Sequence, residues 1–185
     1  MTQTHPFKTL KDLYINMDQT WDKIAAGYNF ICSGCEDNCC NSLFFHHTHI
    51  EKSYLINGFN RLDQSVRKNI LDRADIYIKA MFSQDLKTKE LKNICPVNEN
   101  GRCLLYLHRP MICRLHGLPH ELCKPGFKPV RGPGCKAGKF EKKSYIKFDR
   151  TPFYKQMALI EMKFRQDFNA SGKIKETIAQ MLILT

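Results

Sequence analysis

The sequence predicts a mainly α-helical fold, with one helical domain, an irregular cysteine-rich layer and one small hairpin. Apolar residues recur at spacings of three and four along several stretches, which is typical of amphipathic helices. Five prolines interrupt residues 109–135, and a long irregular segment is unusual in a compact domain unless something holds it in place. Nine cysteines lie in two regions, which predicts that bound metal holds this layer.

Three helices are expected in the N-terminal part, residues 1–94. An apolar stripe predicts the first helix from Thr9 to Tyr28, and Thr9 with Asp12 resembles a capping box at its start. A second helix is expected to stop at Gly58. The third is predicted over Asp63–Phe82, where apolar residues form a stripe with charges opposite.

Two more helices are expected in the C-terminal part, residues 151–185. Thr151 and Pro152 have the form of an N-cap followed by proline at the first helical position. This helix is expected to end before Gly172, and a final short helix is predicted from Lys173 to Leu184. With the cysteine-rich segment at 95–150 between them, the two helical parts form one predicted domain of 185 residues.

The net charge of +11 is concentrated in the second half of the chain. Residues 1–94 hold 12 basic and 11 acidic residues, whereas residues 95–185 hold 17 and 7. The stretch Lys124–Arg150 alone has nine basic and two acidic residues. Such a surface attracts polyanions, but no recognised RNA-binding aromatic spacing accompanies it, so only weak nucleic-acid binding is expected. Alternatively, part of this charge neutralises thiolate metal sites, which carry about −2 each.

The sequence also predicts a compartment. No apolar run reaches membrane length, and the first ten residues have no signal-peptide core, so a cytoplasmic protein without a membrane partner is expected. Thiols in the cytosol stay reduced. Nine is an odd number of cysteines, which a disulfide framework would leave unpaired. These cysteines therefore favour metal over disulfides.

The first cysteine region, Ile31–Cys40, places four cysteines within nine residues: Cys32, Cys35, Cys39 and Cys40. A Cys-x2-Cys spacing lets two sulfurs face one ion from a single tight turn. Cys39 and Cys40 are adjacent, and neighbouring side chains in an extended stretch point to opposite faces. One of the pair can therefore serve a first centre and the other a second.

The second region contains the remaining five cysteines, which are Cys95, Cys103, Cys113, Cys123 and Cys135. The NENG sequence at 98–101 predicts a hairpin turn that brings Cys95 and Cys103 towards one point. The Gly-Pro-Gly turn before Cys135 favours presentation of its thiol as a metal ligand. Cys123 is therefore the one cysteine that is expected not to bind metal. Eight cysteines complete two four-thiolate sites.

Together the two regions resemble the YkgJ-type cysteine-cluster family, whose members are described as zinc- or iron-chelating. The family pattern looks like C-x2-C-x2-C-C, followed much later by a cysteine, G-x-C, a tyrosine and R-P-x-x-C-R. The later part here reads Cys95, Gly101-Arg102-Cys103, Tyr106 and Arg109-Pro110-Met111-Ile112-Cys113-Arg114. The earlier part has one residue more than the family pattern, between Cys35 and Cys39.

The resemblance implies zinc or an iron–sulfur cluster held by cysteine thiolates, and it leaves the metal undecided. The predicted metal ligands are the seven cysteines of the pattern and one beyond it: Cys32, Cys35, Cys39, Cys40, Cys95, Cys103, Cys113 and Cys135. Arg109 and Arg114 flank Cys113, and guanidinium groups beside thiolates offset their negative charge. Both arginines are therefore candidate cofactor-binding residues.

Several histidines could also bind metal. His46, His47 and His49 lie close together, but their spacing does not match a zinc finger, and a structural role is favoured. His116 and His120 could each replace a cysteine ligand, although histidines in a polar loop are more often solvated.

Three functions remain open at this point. The first is a metal-binding protein with a structural, redox or accessory role, which allows a protein partner. The second is an enzyme such as a SAM-dependent protein methylase, because a flagellin lysine methylase carries a similar cysteine signature. The third is a basic nucleic-acid-binding module. We also predict that at least one metal centre takes ligands from both sides of the helix at Asp63–Phe82.

Overall fold

The computed structural model describes residues 6–32, 39–83 and 94–183. Within these ranges the chain is mainly helical with two small antiparallel sheets, which confirms the predicted class. The helices are α1 (Lys8–Gly27), α2 (His49–Phe59), α3 (Gln64–Ser83), α4 (Met111–Arg114), α5 (Thr151–Phe168) and α6 (Ile178–Ile183). The strands are β1 (Asn98–Glu99), β2 (Arg102–Cys103), β3 (His120–Leu122) and β4 (Val130–Gly132). None of the described helices is long and apolar enough to cross a membrane.

The chain forms two compact units, each built from two separate stretches. The first unit comprises Met1–Asn38 and Met111–Ala170, and the second comprises Cys39–Pro110 and Ser171–Thr185. The first unit therefore holds α1, α4, α5 and the β3–β4 hairpin. The second holds α2, α3, α6 and the β1–β2 hairpin.

In the first unit, α1 packs against α5 and α4. Its buried face is the predicted apolar stripe, since Leu10, Leu13 and Met17 are almost completely inaccessible to solvent. The indole Nε1 of Trp21 donates a hydrogen bond to the carbonyl oxygen of His116 over 2.8 Å. This bond ties the end of the helical stripe to the loop that follows α4.

In the second unit, α3 packs against α6, and α2 also contacts α6. Ala74 and Tyr77 of α3 form a buried cluster with Ala179 of α6. The backbone of His46 pairs with that of Glu176 in an isolated antiparallel bridge. The C-terminal segment is thus held on both sides by residues from the first half of the chain.

One predicted helix cap and two predicted helix ends are wrong. Helix α1 begins at Lys8 and has no side-chain cap, so Thr9 and Asp12 do not form a capping box. Gly58 lies inside α2 rather than beyond its end. Helix α6 begins only at Ile178, not at Lys173, and the predicted end at Leu184 lies outside the described residues.

Tertiary contacts and an overlooked cap explain the last two differences. A Cβ on Gly58 would collide with the ring of His108, so glycine here permits close packing and does not terminate the helix. At α6, the Thr177 hydroxyl accepts from the Gln180 amide, and the Gln180 side chain accepts from the Thr177 amide. This reciprocal capping box places the helix start at Ile178.

The segment 109–135 is less irregular than expected. It contains α4 and the β3–β4 hairpin, in which Leu122 pairs with Val130 and His120 with Gly132. The strands are short and do not alternate between apolar and polar residues, so the sequence carries no strand signal for them. Part of the order that we attributed to metal therefore comes from backbone pairing.

Candidate metal centre

The predicted small hairpin is confirmed, and it positions Cys103. Strands β1 and β2 pair Asn98 with Cys103 and Glu99 with Arg102. The two residues between them, Asn100 and Gly101, have φ of 51° and 81°. Positive φ at both central positions defines a type I′ turn, and Asn-Gly is its preferred sequence. The turn thus places Cys103 directly across from Asn98.

Main-chain hydrogen bonds attach the hairpin to the first cysteine region. The Cys95 amide donates to the carbonyl of Cys40 over 2.8 Å, and the Asn98 amide donates to the carbonyl of Cys95 over 2.9 Å. Pro96 and Val97 between them are fully buried. Cys95 therefore lies beside Cys40, with the whole of α3 between the two in sequence.

Cys39 and Cys40 lie in a turn, and their side chains interact. The pKa of Cys40 is lowered to about 6, chiefly by a hydrogen bond from Cys39. Burial opposes this shift, whereas a hydrogen bond from the Asn98 side chain and the positive charge of Arg109 support it. The expectation that the two thiols point to opposite faces is wrong, because that argument holds only for extended backbone.

The pKa of Cys95 is shifted the other way. Burial raises it most strongly, and electrostatic interactions with Cys40 and Cys103 raise it further. The hydrogen bond from Val97 and the charge of Arg73 oppose the shift. Cys39, Cys40, Cys95 and Cys103 are therefore neighbours in the second unit. We call them the four-cysteine group.

The four-cysteine group has the donor chemistry of a soft-metal site. Thiolates are the ligands that zinc and iron–sulfur clusters use, and a cation would offset the mutual repulsion that raises the pKa of Cys95. Across residues 6–32, 39–83 and 94–183, no three Cys, His, Asp or Glu side chains are close enough to hold a metal ion as they stand. Binding would require the sulfurs to draw together.

Arg109 is positioned next to the four-cysteine group. Its guanidinium carbon lies 3.8 Å from the ring centroid of Tyr106, a cation–π contact between two residues of the family pattern. Its charge helps to lower the pKa of Cys40. Asn98, which the cysteine pattern does not single out, also hydrogen-bonds Cys40. The one sequence signal for Asn98 is that it opens the NENG turn.

Arg114 has different surroundings in the first unit. Its guanidinium donates to the Asp18 carboxylate at 2.5 Å and stacks over the ring of Tyr14, and its side chain is buried. These contacts show how α4 is attached to α1. Its role beside a metal centre stays a prediction.

The other predicted ligands belong to the first unit or lie outside the described residues. Cys113 and Cys135 are buried, Cys32 is exposed, and Cys35 is outside the described ranges. The Cys135 amide donates to the carbonyl of Gly117 over 2.9 Å. The structure does not bring these cysteines into a metal-holding group within the described ranges. A second centre remains a prediction.

The histidine run packs against the C-terminal segment of the second unit. His47 Nδ1 lies 3.3 Å from the carbonyl oxygen of Ile174, and His49 Nε2 lies 3.4 Å from that of Gly172. His46 is only 3% exposed, and burial, followed by the charge of His47, lowers its pKa to about 4. These contacts attach His47 and His49 to the C-terminal segment, whereas His46 is buried; a structural role for the three histidines stays a prediction.

Three comparisons with known proteins identified no relative of this chain. No family model matches the chain, and no match was found among the curated proteins or the solved structures. The resemblance to the YkgJ-type family therefore stays a prediction that rests on the cysteine pattern.

Proposed function

We propose that this chain is a metal-binding protein whose centre is formed by the four-cysteine group. The observation that carries the proposal is the pairing of two distant cysteine regions. Cys95 is hydrogen-bonded to the main chain of Cys40, and both Cys40 and Cys103 act electrostatically on its thiol. This is the arrangement that a centre with ligands from both sides of α3 requires.

The residues around the group suit a thiolate centre. Arg109 supplies positive charge, which offsets the negative charge that four thiolates and a divalent ion leave. The type I′ turn holds Cys103 on a short, rigid hairpin, so little conformational entropy is lost when it binds. Bound zinc would supply a structural link, whereas an iron–sulfur cluster would supply one-electron transfer. The proposed role is correspondingly structural or redox, as an accessory protein in the cytoplasm.

Anaerobic purification followed by metal analysis and visible absorption tests the proposal. Cys40→Ser and Cys95→Ser should each lower the bound metal per chain. Cys123→Ser is the matched control, because its thiol donates to the carbonyl of Phe127 in the other unit and lies outside the group. A broad brown absorption identifies iron–sulfur, and a colourless zinc protein identifies a structural site. Equal metal content in all three variants and the parent protein would refute the proposal.

A further inference from the structure

The basic stretch of the first unit presents nearly all of its charge to solvent. Eight of its nine basic side chains are exposed: Lys124, Lys128, Arg131, Lys136, Lys139, Lys142, Lys143 and Lys147. The ninth, Arg150, is buried and donates to the carbonyl oxygens of Leu115 and Leu118. The two acidic residues of the stretch are Glu141 and Asp149. Its surface is therefore strongly positive, although the Arg131 guanidinium is paired with the Glu121 carboxylate.

The tip of the β3–β4 hairpin carries an exposed aromatic ring between two lysines. Phe127 is 73% exposed, and Lys124 and Lys128 lie on either side of it in the connecting loop. The Phe127 amide donates to the carbonyl of Lys124 over 3.0 Å, and the Cys123 thiol donates to the carbonyl of Phe127 over 3.1 Å. The loop thus holds the ring outward. In this position the ring contributes little hydrophobic stabilisation to the folded chain, because most of its surface stays in contact with water.

The base of the same hairpin is fixed to its unit. The Glu121 amide donates to the carbonyl of Phe148, and the Arg150 amide donates to the carbonyl of Glu121, so a third segment runs beside β3. At the other side of the base, Gly132 leaves room for the ring of His120, which occupies the space that a Cβ would need. The exposed ring of Phe127 therefore lies at the tip of a hairpin whose base is hydrogen-bonded to the rest of its unit.

A cleft of about 420 Å³ begins where the hairpin ends. Its lining combines aromatic rings with charged groups, of which three are cations and one is a carboxylate: Tyr28, Phe140 and Tyr145 with Arg131, Lys136, Lys143 and Glu141. The guanidinium of Arg131 lies 4.5 Å from the ring centroid of Tyr145 and also pairs with Glu121. Lys143 is held by a 2.7 Å bond to the carbonyl of Tyr28. The cations here are positioned by their neighbours.

We propose that the β3–β4 hairpin and this cleft bind single-stranded nucleic acid without sequence preference. Single-strand binders combine a positive groove, which follows the phosphates, with aromatic faces on which bases stack. Phe127 supplies an exposed face, and Lys124, Lys128 and Arg131 lie around the same hairpin to meet phosphates. Acidic side chains would use the lysines but have no aromatic face to stack on the ring, and in a duplex the base faces are already stacked. This activity is separate from metal binding.

The test uses fluorescence anisotropy of the full chain, purified anaerobically, with a labelled mixed-sequence 12-mer DNA at 50 to 200 mM salt. Phe127→Ala should weaken binding about tenfold through loss of base stacking. Phe127→Leu, which keeps an apolar side chain, should weaken it nearly as much. Lys124→Gln/Lys128→Gln should reduce the slope of log affinity against log salt by about 1.4, at about 0.7 for each phosphate that is no longer neutralised. The matched control is Lys8→Gln/Lys11→Gln, which removes two exposed lysines of α1 and should leave the slope unchanged.

Several outcomes would overturn the inference. These are no binding at 50 mM salt, equal binding of the single strand and its duplex, and equal loss in the test and control lysine pairs. Full affinity in Phe127→Leu would point to an apolar contact instead of stacking. Stronger binding to vesicles with 30% anionic lipid than to the oligonucleotide would assign the surface to a membrane.

The metal content of Phe127→Ala serves as a control. If it is unchanged, any loss of oligonucleotide binding is independent of the proposed metal centre.

Discussion

The main-chain amide of Cys95 donates a 2.8 Å hydrogen bond to the carbonyl oxygen of Cys40. Both residues belong to the second unit, and α3 lies between them in sequence. A main-chain bond of this kind does not depend on the thiols, so it keeps the two cysteine regions together whether or not metal is bound. A metal ion would therefore meet cysteines that the folded chain has already made neighbours.

The first prediction concerns the reactivity of Cys40. Its thiol should be alkylated at half-maximal rate near pH 6 in the metal-free chain, because the pKa of Cys40 is lowered to about 6. Cys39→Ala, which removes the hydrogen-bond donor, should raise this midpoint most, and Asn98→Ala and Arg109→Gln should raise it less, in the order of their effects on the pKa. Mass spectrometry of alkylated peptides gives the midpoint for each variant. A midpoint above pH 8 in the parent chain would contradict the assignment.

The second prediction concerns the turn of the β1–β2 hairpin. Gly101→Ala should destabilise the chain by about 1 kcal/mol, because φ at this position is +81°. Gly172 is the matched control, since its φ is +79° and neither glycine has an atom within 4 Å of the place that a Cβ would take. Both variants should lose similar thermal stability. Only Gly101→Ala should also weaken metal binding, since it alone shifts Cys103; equal metal affinity in the two would contradict a ligand role for that cysteine.

The third prediction concerns Gly58 inside α2. Alanine normally favours a helix by about 1 kcal/mol over glycine. Here its Cβ would collide with the ring of His108, which packs on Tyr54 at a centroid distance of 4.6 Å. Gly58→Ala should therefore lower the free energy of unfolding by about 1–3 kcal/mol, the usual range for overpacking.

A double-mutant cycle checks this explanation. In a His108→Ala background the clash is absent, so Gly58→Ala should become neutral or stabilising in urea denaturation. An equal loss in both backgrounds would show that the helix itself, and not the ring, rejects the methyl group.

The fourth prediction concerns pH. His46 is neutral in the folded chain with a pKa of about 4, whereas in the unfolded chain it titrates near 6.5. Between these two pKa values the unfolded state binds more protons than the folded state. The contribution of His46 to the free energy of unfolding is therefore complete above pH 6.5, and it is lost as the pH falls towards 4. The loss from this group is about 3 kcal/mol at most, at 1.36 kcal/mol per pKa unit.

Comparison with His46→Gln isolates this contribution from the protonation of other groups. Urea denaturation at pH 7, 6, 5 and 4 should show a smaller fall in the variant. His47→Gln is a useful second variant: because the charge of His47 lowers the pKa of His46, its removal should narrow the pH range of the loss. Parallel pH profiles of the parent chain and His46→Gln would contradict the prediction.

Features encoded over short stretches of chain were predictable. The stripe of α1 has a helical period, and most of its residues are buried in the structure. The NENG turn needs positive φ at Asn100 and Gly101, a preference carried by those two residues alone. The capping box of Thr177 and Gln180 is equally local and could have been found from its spacing.

Other features depend on residues far apart in the chain. From the sequence alone, Gly58 predicts the end of a helix. The structure shows instead that the ring of His108 packs against it, in the space that a Cβ would need. The spacing of the cysteines indicates metal chemistry, and the NENG turn predicts that Cys95 and Cys103 approach each other, but neither signal says which cysteines of the first region join them. The tertiary structure decided that Cys39 and Cys40 lie with Cys95 and Cys103, because packing of α3 and the bond from Cys95 to Cys40 bring together segments that share no local signal.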